Sequence, residues 1–217
     1  MAVIVKICAN KSIHDAKMCI EAGADIAGIL VGQMHASEDF VDPVTASKIA
    51  QYCKGKIEVA VVTHLKDAKS IINICRTVGN SILQLHSDID ENEVEKIVSA
   101  LPKMKLIRLI QVTPEGEILT DVESVRHADC FIIDSCNKQT DQVGGTGLTH
   151  DWNIDRKVIM TVRKPVMIAG GLNPDNVAEA IMTCRPAGVD VNSGCKNEKG
   201  IKDRNKVVSF VRNAKKG

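Results

Sequence analysis

Aromatic side chains are almost missing from this chain: one Trp, one Tyr and three Phe among 217 residues, 2% of the whole. So few rings leave little with which to stack on a planar aromatic ligand. An excess of charge is missing too. The chain has 28 basic and 27 acidic residues and a formal net charge of +1, which gives no electrostatic case for nucleic acid or an anionic membrane. No apolar run approaches the ~18 residues of a membrane span. There are eight cysteines but no CxxC pair, which argues against a structural zinc site. The cysteines are scattered, and several sit inside apolar patterns, as Cys75 and Cys130 do. Buried thiols in a reducing compartment explain that better than a secreted disulfide framework. The stretch Met1–Lys11 is apolar, contains Lys6 and lacks a signal-peptide cleavage pattern, so the cytoplasm is expected.

What is present is alternation. Strands are predicted at Val3–Cys8, Ile26–Val31, Glu58–Thr63, Ile82–Leu85, Lys105–Gln111, Cys130–Asp134, Val166–Ala169 and Gly188–Val191. Amphipathic helices follow them, with start signals at Ser12 (with Asp15), Asp42-Pro43, Asp90 (with Glu93, a capping-box pattern) and Asn173-Pro174. Expected inner faces are Ala46, Ile49, Ala50 and Cys53, then Ala68, Ile71, Ile72, Cys75 and Val78, and in the last helix Val207, Val208, Val211 and Ala214. Only a weaker helical region separates strands five and six. No Pro/Gly/Ser-rich linker interrupts the series. It predicts one α/β domain over residues 1–217, a single (β/α)8 TIM barrel. The alternative is an open doubly wound sheet, which would usually place GxGxxG after its first strand. Cys8-Ala9-Asn10-Lys11 stands there instead.

In such a barrel the chemistry sits at the C-terminal ends of the strands. That rule selects Cys8, the His35–Asp39 stretch, His64, His86, Asp134 and Asp190. Glycines cluster late: Gly144-Gly145-Thr146-Gly147, Gly170-Gly171, and Gly194 after Asn192-Ser193. Glycine lets backbone N–H groups approach an anion, and the last loops of barrels often hold phosphate. Tight turns alone would explain one such cluster. Three at consecutive strand ends point to a phosphate on Gly145, Gly170, Gly171, Ser193 and Gly194. A thiolate at Cys8 and a carboxylic acid at Asp134, on opposite sides of one cavity, would suit proton-transfer isomerisation of a small sugar.

Val5-Lys6-Ile7-Cys8, Leu83-Gln84-Leu85-His86, Gly144-Gly145-Thr146-Gly147, His150-Asp151-Trp152, Ala169–Val177 and Val189–Gly194 together resemble the phosphoribosylanthranilate isomerase family of tryptophan biosynthesis. The likeness covers nearly the whole chain and implies a barrel of the ribulose-phosphate-binding type. It implies an Amadori rearrangement of an N-phosphoribosyl amine to an aminodeoxyribulose phosphate. The family's general base falls on Cys8 and its general acid on Asp134; no cofactor or metal is implied. The chain departs from the family after strand two, where Ala36-Ser37-Glu38-Asp39-Phe40 replaces a stretch with a basic residue thought to meet the anthranilate carboxylate. Strand three ends in His64 rather than Asn, and Lys196 stands where Glu is common. His86, Asp190, Asp39 and His64 are therefore expected to meet substrate, with Glu38 and Asp39 repelling an aromatic acid.

The competing readings are a paralogous isomerase or epimerase acting on another phosphorylated pentose derivative, a metal-dependent epimerase using His35, His64 and His86 with Glu38, Asp39 or Asp134, and a non-enzymatic ligand-binding barrel. Thr63-His64-Leu65 looks somewhat like the metal-binding histidine region of ribulose-phosphate epimerases. The expected partner is a small phosphorylated sugar, with no nucleic acid and no membrane, on a monomer or homodimer.

Overall fold

A computed structural model describes residues 3–34, 37–113, 115–137, 142–143 and 151–217. Its strands are β1 (Ile4–Ile7), β2 (Ile26–Leu30), β3 (Glu58–Thr63), β4 (Ile82–Leu85), β5 (Lys105–Val112), β6 (Cys130–Asn137), β7 (Gln142–Val143), β8 (Val166–Ile168) and β9 (Gly188–Val191). They run in the order β5-β4-β3-β2-β1-β9-β8-β6, and β5 pairs back onto β6 to close the ring. All eight ring strands are parallel. The short β7 turns back antiparallel on the end of β6. Helices α1 (Ile13–Ala22), α2 (Pro43–Cys53), α3 (Ala68–Val78), α4 (Glu91–Ala100), α5 (Trp152–Thr161), α6 (Val177–Cys184) and α7 (Arg204–Ala214) lie outside. The closed (β/α)8 barrel is thus the architecture, and no described helix is long and apolar enough to cross a membrane.

Successive side chains of a strand point to opposite faces, and that period decides everything about the site. Val5, Ile7, Ile29, Val59, Val61, Leu83, Leu85, Phe131, Ile133, Val189 and Val191 point outward into the layer beneath the helices. Their neighbours point inward. At the barrel floor these are apolar: Ile26, Ala60, Ile82, Ile107, Leu109, Ile132 and Met167. Two positions further along the strands, the inward residues become polar: Lys6, Gln84, Asp134 and Asp190, all buried.

The helices start where side-chain oxygens can take their free N–H groups. Ser12, Asp42, Asp67, Asp90, Asp151 and Asp203 each accept from the first turn, worth about 1 kcal/mol apiece. The capping box at α4 is only half made. Asp90 accepts from Asn92, but the Glu93 carboxylate goes to Ala68 N of α3 and to Lys96. Asn173 caps a turn, through Asp175 N and Asn176 N, before α6 begins. In α7, Val208 faces out and Phe210 takes its place in the core, because a 3.6-residue period brings 207, 210, 211 and 214 onto one face.

Among the described residues between β5 and β6 there is no α-helix, only a 3-10 turn at Val122–Ser124. The outward face of β5 is covered differently there. Arg108 is buried, its guanidinium 2.6 Å from Glu91 Oε1 of α4 and donating to His127 O. Trp152 opens α5, half-buried against the outer core, and its carbonyl accepts from Cys184 Sγ.

Candidate active site

The inward-facing strand ends enclose a cavity of about 200 Å³. Cys8, Asp39, His64, His86, Asp134, Gly170, Gly171, Asp190 and Ser193 all line it, so the sequence-selected residues converge on one place. Gly194 lies directly behind, against Leu172. Gly145 and His35 fall outside the described residues. Glu38 is exposed and does not line the cavity.

On one wall stands the thiol. Lys6 and Asp190 are register partners on β1 and β9, and their side chains form a buried ion pair at 2.8 Å. Cys8 follows Lys6 on the same face of β1. A methyl group on Gly28 of β2 would stand 3.1 Å from Cys8 Sγ, Lys6 Cε and Lys6 Nζ alike, so the thiol and the ammonium share the space above that glycine. Burial pushes the Cys8 thiol up, and the Lys6 ammonium opposes that rise. For Lys6, burial favours the neutral amine, but Asp190 and Cys8 outweigh it and hold the ammonium above its ordinary range.

Three steps around the ring from β1, β6 carries Asp134. Its Oδ2 lies 3.5 Å from His86 Nε2. The other His86 ring nitrogen is 3.0 Å from Gln84 Nε2. His64 stacks on His86 with ring centroids 5.3 Å apart, and Phe40 meets His64 edge-on at 5.2 Å. Phe40 is the one Phe, Trp or Tyr lining the cavity among the described residues. Asp134 Oδ1, Gln84 Oε1, Asp190 Oδ1 and Asn192 Oδ1 are buried without a hydrogen-bond partner in the described structure. Each such atom costs about 1–3 kcal/mol unless something bonds to it, and these line one cavity.

The expected repulsion at the rim is not what the geometry shows. Asp39 is clamped by Lys196 Nζ, at 2.5 and 2.6 Å, and accepts from Asn192 Nδ2 at 2.8 Å. Burial alone would raise the Asp39 carboxyl, but these partners overcome it and hold it below the usual range. The clamp ties the loop after β2 to the loop after β9 and cancels the negative charge. At the third wall, Gly170 and Gly171 adopt positive φ, +82° and +66°. A Cβ on Gly194 would fall 2.0 Å from Leu172 O, so only glycine allows these two loops to touch. Among the described residues no three His, Cys, Asp or Glu side chains group as a metal site requires.

Sequence reasoning passed over Lys6, Gln84, Gly28 and Asn192. The first two could have been found: each lies two residues before a selected residue, Cys8 or His86, on the same strand face.

Comparison with known proteins gives the same picture. The profile of N-(5'-phosphoribosyl)anthranilate (PRA) isomerase matches residues 5–213. N-(5'-phosphoribosyl)anthranilate isomerase 2 of Methanosarcina mazei is 41% identical over 213 residues, 97% of this chain and 93% of that protein. The isomerase of Methanocella arvoryzae is 34% identical, with 95% of each chain covered. The crystal structure of phosphoribosyl anthranilate isomerase from Thermotoga maritima superposes with a TM-score of 0.82 at 27% identity, over 99% of this chain and 100% of that one. A second solved isomerase, similar at 26% identity and TM-score 0.80 over 99% and 100% of the chains, is in complex with reduced 1-(o-carboxyphenylamino)-1-deoxyribulose 5-phosphate. With profile, sequence and fold agreeing over almost its full length, this chain belongs to the N-(5'-phosphoribosyl)anthranilate isomerase family.

Proposed function

We propose that Cys8 and Asp134 perform the family's aldose-to-ketose isomerisation, the Amadori rearrangement of phosphoribosylanthranilate in tryptophan biosynthesis, within one barrel domain of a cytoplasmic enzyme. The carrying observation is that a thiol and a carboxyl, on strands three steps apart, line one small cavity beside a glycine-lined wall. Asp134 protonates the ring oxygen, and the furanose opens to an iminium. Cys8, as thiolate, removes the proton from C2, and the electron pair flows into the iminium to give an enolamine. Tautomerisation then yields the ketose. The substrate's own imine is the electron sink, so the chain's residues need only move protons.

Lys6 keeps an ammonium beside Cys8 and favours its thiolate, while Asp190 fixes Lys6. His86 steadies the Asp134 carboxyl, and His64 with Phe40 forms the flat surface for the aglycone. Gly170, Gly171, Ser193, Gly194 and Gly145 carry the phosphate. Lys196 meets the aglycone carboxylate, because it is the one Lys or Arg lining the cavity among the described residues and Asp39 holds it in place. One solved relative, from Thermotoga maritima, is described as monomers generated from a dimeric enzyme; a monomer or homodimer is the assembly proposed here. The test is steady-state turnover of phosphoribosylanthranilate by the purified protein in the presence of a chelator. Turnover at the level of an ordinary enzyme supports the reading. No turnover, or turnover only after a divalent ion is restored, ends it and favours the metal-dependent epimerase.

A further inference from the structure

We infer that the hairpin from Lys196 to Lys202 belongs to the acid–base machinery, and that Lys202 is a positioning residue for Cys8, holding its backbone and presenting a second ammonium to it. The inference rests on Cys8 being the base. Lys202 is only 7% exposed, a degree of burial lysine almost never reaches unless paired. Its Nζ donates to the Cys8 carbonyl oxygen at 2.7 Å. The chain turns sharply at that point. Ala9 has φ +57°, a conformation that residues with a Cβ rarely adopt. Two side chains hold the turn: Asn10, whose Nδ2 donates to Ile7 O and Gly28 O, and Lys202.

The hairpin is built to deliver this lysine. Lys196 and Lys202 pair as an antiparallel bridge. Asn197 N donates to Ile201 O, and the Asn197 side chain accepts from Lys199 N and Ile201 N. Asp203 N then donates to Cys195 O. One short element thus plants Lys196 on the cavity wall and Lys202 behind the base.

The charges around Cys8 are Lys6 from β1, Asp190 from β9 and Lys202 from the hairpin; His64, His86 and Asp134 line the same cavity. Beside Lys202 lie Cys19 of α1 and Cys195, both thiols pushed up to about 12 by burial, with Asp15 near Cys19. These thiols stay neutral and do not compete for the ammonium. The carboxylate of Asp203 is turned to Lys206 N. Removing Lys202 leaves one ammonium and one carboxylate around the thiol, so burial of the thiolate is offset by Lys6 alone.

The test reads Cys8 without substrate, so it stands apart from the turnover assay. The pH midpoint of iodoacetamide alkylation at Cys8, located by peptide mass spectrometry, is compared across variants whose folding is checked by thermal melting. Lys202→Gln keeps a donor for the Cys8 carbonyl and removes the charge. Its midpoint should rise by about one pH unit, the scale of one nearby charge, with kcat falling about tenfold below the midpoint and KM little changed. Lys202→Arg, which keeps the charge, should retain the wild-type midpoint. A folded Lys202→Gln with the wild-type midpoint overturns the inference. If Lys202→Gln does not fold, Lys202→Arg decides: a retained midpoint with lowered kcat supports the positioning role, and a displaced midpoint overturns it.

Discussion

At the scale of single residues, the site separates two kinds of buried ionisable group. Cys19, Cys184 and Cys195 are thiols that burial drives to about 12, and such groups are inert. Cys8 is also driven up, but it alone shares its space with Lys6. Cys8→Ser and Asp134→Asn should each lower kcat by about 10²-fold or more, as for loss of a general base or acid, with melting temperatures near wild type. Near-normal turnover in either folded variant would remove that residue from the mechanism. If Cys8 is the base proposed here it works as thiolate, so activity should be present above its pKa and lost as pH falls through it. Because that pKa is raised, the rising limb of kcat/KM should lie above the ordinary thiol range, and Lys6→Met should move it further up. At the rim, Lys196→Met should raise KM for phosphoribosylanthranilate about tenfold, the scale of a lost charge-assisted hydrogen bond. If the lysine served only to neutralise Asp39, the double variant Asp39→Asn/Lys196→Met would recover the wild-type KM; the carboxylate role requires that it does not. An Asp39→Arg change, attractive when the carboxylate is taken as free, would instead set two cations together and release Lys196 from its clamp.

At the scale of elements, the strand period did most of the placing, and much of it was legible. All eight ring strands start within a residue of where apolar spacing puts them, though β6 runs three residues past Asp134, and α6 begins at Val177, three residues after the Pro174 start that the Asn173 cap suggested. Cys8, His86, Asp134 and Asp190 follow from the rule that strand ends carry the chemistry. The rest was hidden for physical reasons. The Asp39–Lys196 clamp joins residues 157 positions apart, and the Lys202–Cys8 contact joins residues 194 apart; no local pattern encodes either. The loop at Gly144–Gly147 lies outside the described residues, so its phosphate role stays a proposal. Close approach is the element-scale quantity to test. Gly194→Ala places its Cβ within 2.0 Å of Leu172 O, so the loops after β8 and β9 must part. Inhibition by inorganic phosphate should weaken about tenfold, equivalent to roughly 1.4 kcal/mol. Unchanged inhibition would place the anion elsewhere.

At the scale of the whole molecule, the barrel has a thin side. Where a crossover helix would cover β5 and β6, the Arg108–Glu91 pair and a 3-10 turn stand instead. Removing one partner of a buried pair costs about 3–5 kcal/mol, and the low end applies here because Glu91 keeps some contact with solvent. Arg108→Met should therefore lower the melting temperature by about 10 °C, at the 2–4 °C per kcal/mol usual for this size. kcat at 25 °C should be retained, because Arg108 points away from the cavity. A melt unchanged within a degree or two would show that the pair contributes little and that the turn alone seals the ring. The shortage of aromatic rings has its own use. Trp152 is the one tryptophan of the chain, and it opens α5, five residues after Gly147 in the sequence. Its emission is a single built-in signal from the N-terminus of α5. Anthranilate is itself a fluorophore that can accept that emission, so ligand arrival is readable as energy transfer from an unlabelled, unmodified enzyme.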